Sequence, residues 1–269
     1  MIVPLKIFLA RIFVVYPRIL RNKILPYNFD YSKYRDSFIS KTPPVLDGKL
    51  NKAPEIIYVF WTGNNEIPEN RQRALNSLIE NSGVKIKLVT PDNLNEYVVE
   101  NYPLHPAYNY LSLVHKSDYL RCYFMHHHGG GYSDVKVGVN SWKKAFERLN
   151  GSDKYVLGYR EISSGSIPST NTSIDEYMSK YFFKSIGVCA FIFKPRSPIT
   201  EELISELHNR LDHYQNKLKA NPGNIFGNNQ GYPIEWNKIL GQIMFPLFFK
   251  YNKSIMRDDS IKPIFKNYR

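Results

Sequence analysis

The sequence predicts an α/β fold, a sheet covered by helices. Short apolar runs alternate with amphipathic ones through the first hundred residues, in the order strand, helix, strand, helix. A long helical pattern then ends at a glycine triplet, Gly129-Gly130-Gly131, and a valine-rich run follows. Further along, "SIGVCAFIFKP" is apolar on both faces, as a strand buried between helices should be.

The elements follow in order. "EIIYVFWTG", Glu55 to Gly63, reads as a buried first strand stopped by Gly63-Asn64-Asn65. "IPENRQRALNSLIENSG" reads as a helix, with Pro68 in its first turn, Ala74, Leu75, Leu78 and Ile79 as its apolar stripe, and Gly83 as its stop. "VKIKLVTPDN" is a second strand, and "NLNEYVVENY" a short helix closed by Pro103. "AYNYLSLVHKSDYLRCYFMHHH" has no Gly or Pro and reads as one long helix. "GYSDVKVGV", "KYVLGYRE" and "SIGVCAFIFKP" are strands, and "SPITEELISELHNRLDHYQNKLKANPG" is a helix capped by Ser197 or Thr200. "PIEWNKILGQIMFPLFFKY" is a last apolar helix before a polar, basic tail.

Two domains are expected: residues 1–50 as a basic, apolar helical appendage and 51–269 as the main domain. In the appendage, Lys6, Arg11, Pro4 and Pro17 interrupt the apolar residues, so no run reaches the about 20 residues of a membrane span. Ile7, Phe8, Ile12, Phe13 and Val15 suit acyl chains and Arg11, Arg18, Arg21 and Lys23 suit headgroups, as in an interfacial helix; a helix packed on the domain fits the pattern equally.

The formal net charge of +12 favours anionic partners, a pyrophosphate or an anionic membrane surface. No zinc-finger spacing, RNP-type motif or long Lys/Arg block points to nucleic acid. Two cysteines, Cys122 and Cys189, read as small core residues and make no disulfide framework, which suits a reducing cytoplasm. His126-His127-His128 cannot chelate one ion from a regular helix, because neighbours point about 100° apart; imidazoles at a helix C-terminus suit its dipole.

The chemistry gathers around the glycines. Asp118 and Arg121, three apart on a helix, share a face. On the strand after the turn, Tyr132, Asp134 and Lys136 alternate onto one side and Ser133, Val135 and Val137 onto the other. A charged pair inside a valine-rich strand calls for a ligand.

"SDYLRCYFMHHHGGGYSDV" resembles the S-D-x-L-R…G-G-x-Y-x-D-x-D signature of the DxD-containing, GT-A-type glycosyltransferases that build capsular polysaccharide and lipopolysaccharide. "PEIIYVFWTGNNEIPE" resembles the opening strand of that family, and the likeness runs from about Pro54 to Val139. The resemblance implies a Rossmann-like mixed sheet flanked by helices and a retaining transfer of a hexose from a nucleotide sugar to a glycan or lipid-linked acceptor. It implies donor contacts from Trp61, Thr62, Asp118, Arg121, Gly130, Gly131, Tyr132, Asp134 and, in the late polar loop "GNNQGYPIEW", Asn229, with its neighbours Asn228 and Gln230. Asp134, Lys136 and Arg121 are the expected catalytic groups. Asp134 is also the one expected ligand of the family's Mn²⁺ or Mg²⁺, because Lys136 stands where the family has its second, metal-holding aspartate. A lysine ammonium there could neutralise part of the leaving pyrophosphate in the ion's place. The positive charge, the basic N-terminus and the cysteine usage lead to the expectation of work at the inner face of the cell membrane. The competing expectation is a nucleotide-sugar-binding protein on the same fold that has lost its chemistry.

Overall fold

A computed structural model describes residues 28–48 and 50–265. The N-terminal stretch expected to form an interfacial helix lies outside the described residues. Ser32 begins the compact unit that carries every element below. Its first part packs on the later chain: Ile39 is buried, and the Tyr155 hydroxyl donates to Val45 O at 2.9 Å.

The unit is an α/β fold, as expected. Strands β1 (Ile56–Phe60), β2 (Lys85–Val89), β3 (Gly130–Ser133), β4 (Val156–Arg160), β5 (Ile186–Phe193) and β6 (Ile255–Arg257) form one mixed sheet in the order β2-β1-β3-β5-β4-β6. β1 runs parallel to both β2 and β3; β5 is antiparallel to β3 and β4; β6 is parallel to β4. The helices are α1 (Glu69–Ser82), α2 (Leu113–His127), α3 (Lys143–Asn150), α4 (Asp175–Lys180), α5 (Pro198–Ala220) and α6 (Gly241–Lys250).

Because side chains alternate along a strand, each strand feeds two cores. Ile57, Val59, Leu157, Tyr159, Ala190 and Ile192 meet Leu75 and Leu78 of α1, Phe146 and Leu149 of α3, and Trp142 just before α3. The opposite face is aromatic. Tyr58 and Phe60 pack edge-on against Phe124 of α2 at 4.9 and 5.0 Å, Phe60 stacks on Tyr132, and Tyr132 meets Phe191. Both faces being covered is why these strands read as unbroken apolar runs.

Several boundaries differ from expectation. "NLNEYVVENY" gives only a 3₁₀ turn, Leu94–Tyr97, followed by a Val99–Tyr102 bridge. The long helix breaks in two: a 3₁₀ segment at Pro106–Tyr110 precedes α2, because Ser112 takes an extended conformation and its hydroxyl accepts from the His115 amide. Ile79 is 53% exposed and does not join the α1 stripe. β3 stops at Ser133, three residues after Gly130, and the last apolar helix begins only at Gly241. The "polar tail" supplies β6, and Ile264 N–H donates to Val137 O at 3.0 Å.

Candidate active site

β1 leads to β2 on one side, and the chain returns through α2 to β3 on the other, so the sheet reverses its winding between β1 and β3. Ligands of open α/β sheets bind at such a switch point, beyond the carboxyl ends of the strands. Trp61 and Thr62 lie beyond the end of β1, and Asp134 and Lys136 beyond the end of β3.

The glycines make this approach possible. Gly130 has φ 90°, and a Cβ there would stand 2.8 Å from Ile56 O. Gly129 has φ 65°, and a Cβ would stand 2.4 Å from Pro195 Cδ. A Cβ on Gly131 would itself crowd Ile57, Trp142 and Phe146 in the core, at 3.0, 3.1 and 3.3 Å. The glycines therefore let β3 lie against β1 and below α2; their contribution to a donor site is steric.

Past Ser133 the chain leaves the ladder but is pinned on both sides. Asp134 N–H donates to Cys189 O of β5 at 2.8 Å, and Lys136 N–H turns back to Asp134 O at 2.7 Å. From α1, Arg71 donates to Val135 O at 2.7 Å, Ser77 accepts from the Gly138 amide, and Asn81 donates to Gly138 O. The expected strict alternation through Lys136 is thus replaced by a tight turn, yet Asp134 and Lys136 still point together.

Four charges meet here. Arg121 Nη2 lies 3.3 Å from Asp118 Oδ1 and 3.6 Å from Asp134 Oδ1. Lys136 Nζ donates to Asp134 Oδ2, and the Tyr132 hydroxyl donates to Asp134 Oδ1 at 2.6 Å. The Arg121 guanidinium lies over the Tyr132 ring, 4.7 Å from its centroid, and Nη1 reaches Val188 O at 3.4 Å. Arg121 Nε is buried with no hydrogen-bond partner, which is costly unless something approaches it. Asp134 has the most exposed of the four side chains, at 18%.

The electrostatics follow from this packing. Burial pushes the Asp134 carboxyl up, but the Arg121 guanidinium and the Lys136 ammonium outweigh it and hold the group at about 2. Burial raises Asp118, against the pull of Arg121. Cys189 packs against the core, as expected, and its sulfur also lies 3.7 Å from Lys136 Nζ; burial with the nearby Asp134 raises its thiol to about 11. Sequence reasoning missed this neighbour, because its contact with Lys136 comes from strand pairing between β3 and β5. Cys122 is buried, as expected.

Asp134 is the one expected metal ligand, and its surroundings are cationic. Both Asp134 oxygens already face cations, and among the described residues no group of three or more His, Cys, Asp or Glu side chains is placed to hold a metal.

The remaining expected residues lie at the edges. Trp61 is half-buried against the α1–α3 core and donates Nε1–H to Asn65 O at 2.8 Å. Thr62 donates to Leu113 O at 2.7 Å, tying the β1 loop to the start of α2. Asn229 uses both ends of its amide inside its own loop, accepting from Asn224 N–H and donating to Pro222 O. That loop lies on the start of α2: Leu113 and Val114 N–H donate to Asn224 O and Ile225 O, at 3.3 and 3.2 Å. The helix N-terminus is therefore satisfied by protein. Nearby, His115 Nε2 donates to Trp236 O and Nδ1 accepts from the Tyr232 hydroxyl at 2.8 Å.

The triple histidine is a packing feature. His128 Nε2 donates to Tyr97 O, the His127 ring packs on Tyr123 at 4.4 Å, and His126 meets Thr200. Burial lowers the pKa of all three, which favours neutral rings and removes the charge a dipole interaction would need.

The model of the family described as "Capsular polysaccharide synthesis protein" matches residues 25–214. The chain belongs to this family. The match spans β1 to most of α5 and so includes all four charged residues of the cluster. Inositol phosphoceramide mannosyltransferase 1 of Schizosaccharomyces pombe is similar, at 28% identity, with the alignment covering 56% of this chain and 56% of the yeast protein. The alignment thus spans little more than half of that relative's length. A solved structure, the PaToxG glycosyltransferase, superposes loosely, at a TM-score of 0.39 with 14% identity, over 92% of this chain and 79% of the other.

Proposed function

We propose that this member of the capsular polysaccharide synthesis family is a glycosyltransferase. It moves a hexose from a nucleotide sugar to a polysaccharide, oligosaccharide or lipid-linked acceptor, working peripherally at the inner face of the cell membrane. The observation that carries the reading is the convergence of Asp118 and Arg121 from α2 with Asp134 and Lys136 beyond β3 at the switch point of the sheet. The family membership and the mannosyltransferase relative support the reaction class.

Glycosyl transfer expels a nucleoside diphosphate, so the site must meet negative charge growing on the pyrophosphate. Arg121 keeps one nitrogen, Nε, without a hydrogen-bond partner, and offers that N–H to a phosphate. Lys136 exchanges Asp134 for a phosphate oxygen when the donor enters. At about 4 Å and an effective dielectric near 20, that contact contributes roughly 4 kcal/mol before desolvation is counted. Asp134, released from the ammonium, is then free to accept hydrogen bonds from the donor sugar. Lys136 takes the place of a divalent ion, and no step requires one. Retention of anomeric configuration is the stereochemical outcome expected from the family likeness.

Incubation with UDP-, GDP- and CMP-sugars and a lipid-linked or oligosaccharide acceptor tests this, with chromatography of the glycosylated product as the readout. Product from one donor in the presence of EDTA supports the proposal. The direct Lys136–Asp134 pair favours a second reading, a donor-binding protein without turnover. Tight binding of a nucleotide sugar with neither transfer nor hydrolysis selects that reading.

A further inference from the structure

We propose that the loop from Gly223 to Trp236 is a lipid-docking rim, which sets Ile225, Phe226 and Trp236 into the interface of an anionic bilayer beside the charge cluster. The proposal deepens the transferase reading by giving the acceptor side of the site a partner.

Ile225, Phe226 and Trp236 are 58%, 55% and 59% exposed. Single exposed apolar residues are ordinary, but these are gathered. Val114 N–H holds Ile225 O and His115 Nε2 holds Trp236 O, so the two ends of the loop are fastened to neighbouring residues of α2. Asp118 follows His115 by three residues on the same helix, about 4.5 Å along the axis.

The loop is built rather than loose. Asn224 Oδ1 accepts from the amides of Phe226 and Gly227 at 3.0 and 2.7 Å, and Asn224 Nδ2 donates to Asn228 Oδ1. Gly227 and Gly231, with φ 71° and 81°, supply the left-handed turns. The Tyr232 hydroxyl accepts from Ser112 N–H at 3.2 Å. The side-chain amides of Asn224 and Asn229 are engaged within the loop itself, on its backbone and on Asn228. Ile225, Phe226 and Trp236 face outward among exposed polar neighbours, Asn224, Asn228, Gln230 and Glu235, an amphipathic mixture that suits the membrane interface.

Charge agrees with this. Lys217 and Lys219 end α5 just before the loop, and Lys238 follows it. Between Lys217 and Lys238 the sequence holds one acid, Glu235. Basic residues flanking an apolar tip are what anionic headgroups select.

The test uses the full chain and vesicles of phosphatidylcholine, with or without one-third phosphatidylglycerol, and with brominated acyl chains as quenchers. The chain has three tryptophans, of which Trp142 is buried and Trp61 half-buried. Binding to the anionic vesicles should quench tryptophan emission, and Trp236→Phe should remove most of that quenching while the chain stays bound. The double substitution Ile225→Ser/Phe226→Ser should lower partitioning at least about tenfold with an unchanged melting temperature. If the double variant fails to fold, the Trp236→Phe quenching decides alone. No binding by the parent chain overturns the proposal. So does quenching that survives Trp236→Phe, or equal partitioning of a folded double variant. Self-association through this loop without vesicle binding would likewise overturn it, in favour of a second copy as the occupant. Vesicle binding is read without any donor, so its failure and a failed transfer assay are separate results.

Discussion

Asp134 is the residue on which the site turns, since it joins Arg121 of α2 to Lys136. Its carboxyl is held at about 2, below the 3.8 of an unperturbed aspartate, and this has a signed consequence. The stability it contributes is fully present above pH 3.8 and is lost as pH falls toward 2. Lys136→Met removes one of the two cations and should move the acid-unfolding limb to higher pH, measured by circular dichroism. The same substitution should lower turnover at least about 100-fold, equivalent to about 2.7 kcal/mol of transition-state stabilisation, while Lys136→Arg retains part of it. Arg121→Met leaves two carboxylates facing each other and should destabilise the chain by about 3–5 kcal/mol in urea titrations. These side chains were legible in the sequence because helix spacing places Asp118 beside Arg121, and a glycine turn brings the next strand beneath them. Cys189 was not legible: only pairing between β3 and β5, far apart in the chain, brings it to Lys136.

At the level of elements, the apolar runs gave the positions of β1, β2, β4 and β5 and of helices α1 and α5, because burial on both sheet faces leaves a strong pattern. Short elements held by tertiary contacts left little trace. β6 has three residues, reads as a basic tail, and exists because β4 offers it an edge. The break before α2 likewise comes from a local side-chain bond, Ser112 capping the His115 amide, that overrides the helical pattern, and the segment at Leu94–Tyr97 stays a single 3₁₀ turn. The turn into β3 makes its own prediction. Gly130→Ala would drive a Cβ against Ile56 O at a φ of 90°, and should cost at least about 2 kcal/mol in chemical denaturation. The contact between α2 and α5 makes another. His126, His127 and His208 gather there, with Glu201 and Asp212 as nearby acids and Arg196 as a nearby base. Burial lowers all three imidazoles, His127 to about 4 from 6.5. The unfolded chain binds protons first, so stability falls as pH drops from 6.5 toward 4. Melting temperature measured from pH 7.5 to 4.5 should decline through that window, and less steeply in His127→Asn.

Across the whole molecule, the formal net charge is +12, while the four members of the charge cluster sum to zero. Under the proposed function, the excess would draw a diphosphate in, and the neutral cluster would then exchange an internal carboxylate for the ligand's phosphate at Lys136. The most direct test is calorimetric titration of the donor-screen nucleotide sugar into the full chain in EDTA, repeated with Lys136→Ala. The account predicts binding without metal in the parent chain and at least about tenfold weaker binding in the variant. Binding that appears only when Mn²⁺ is added, or that is indifferent to Lys136, would contradict it.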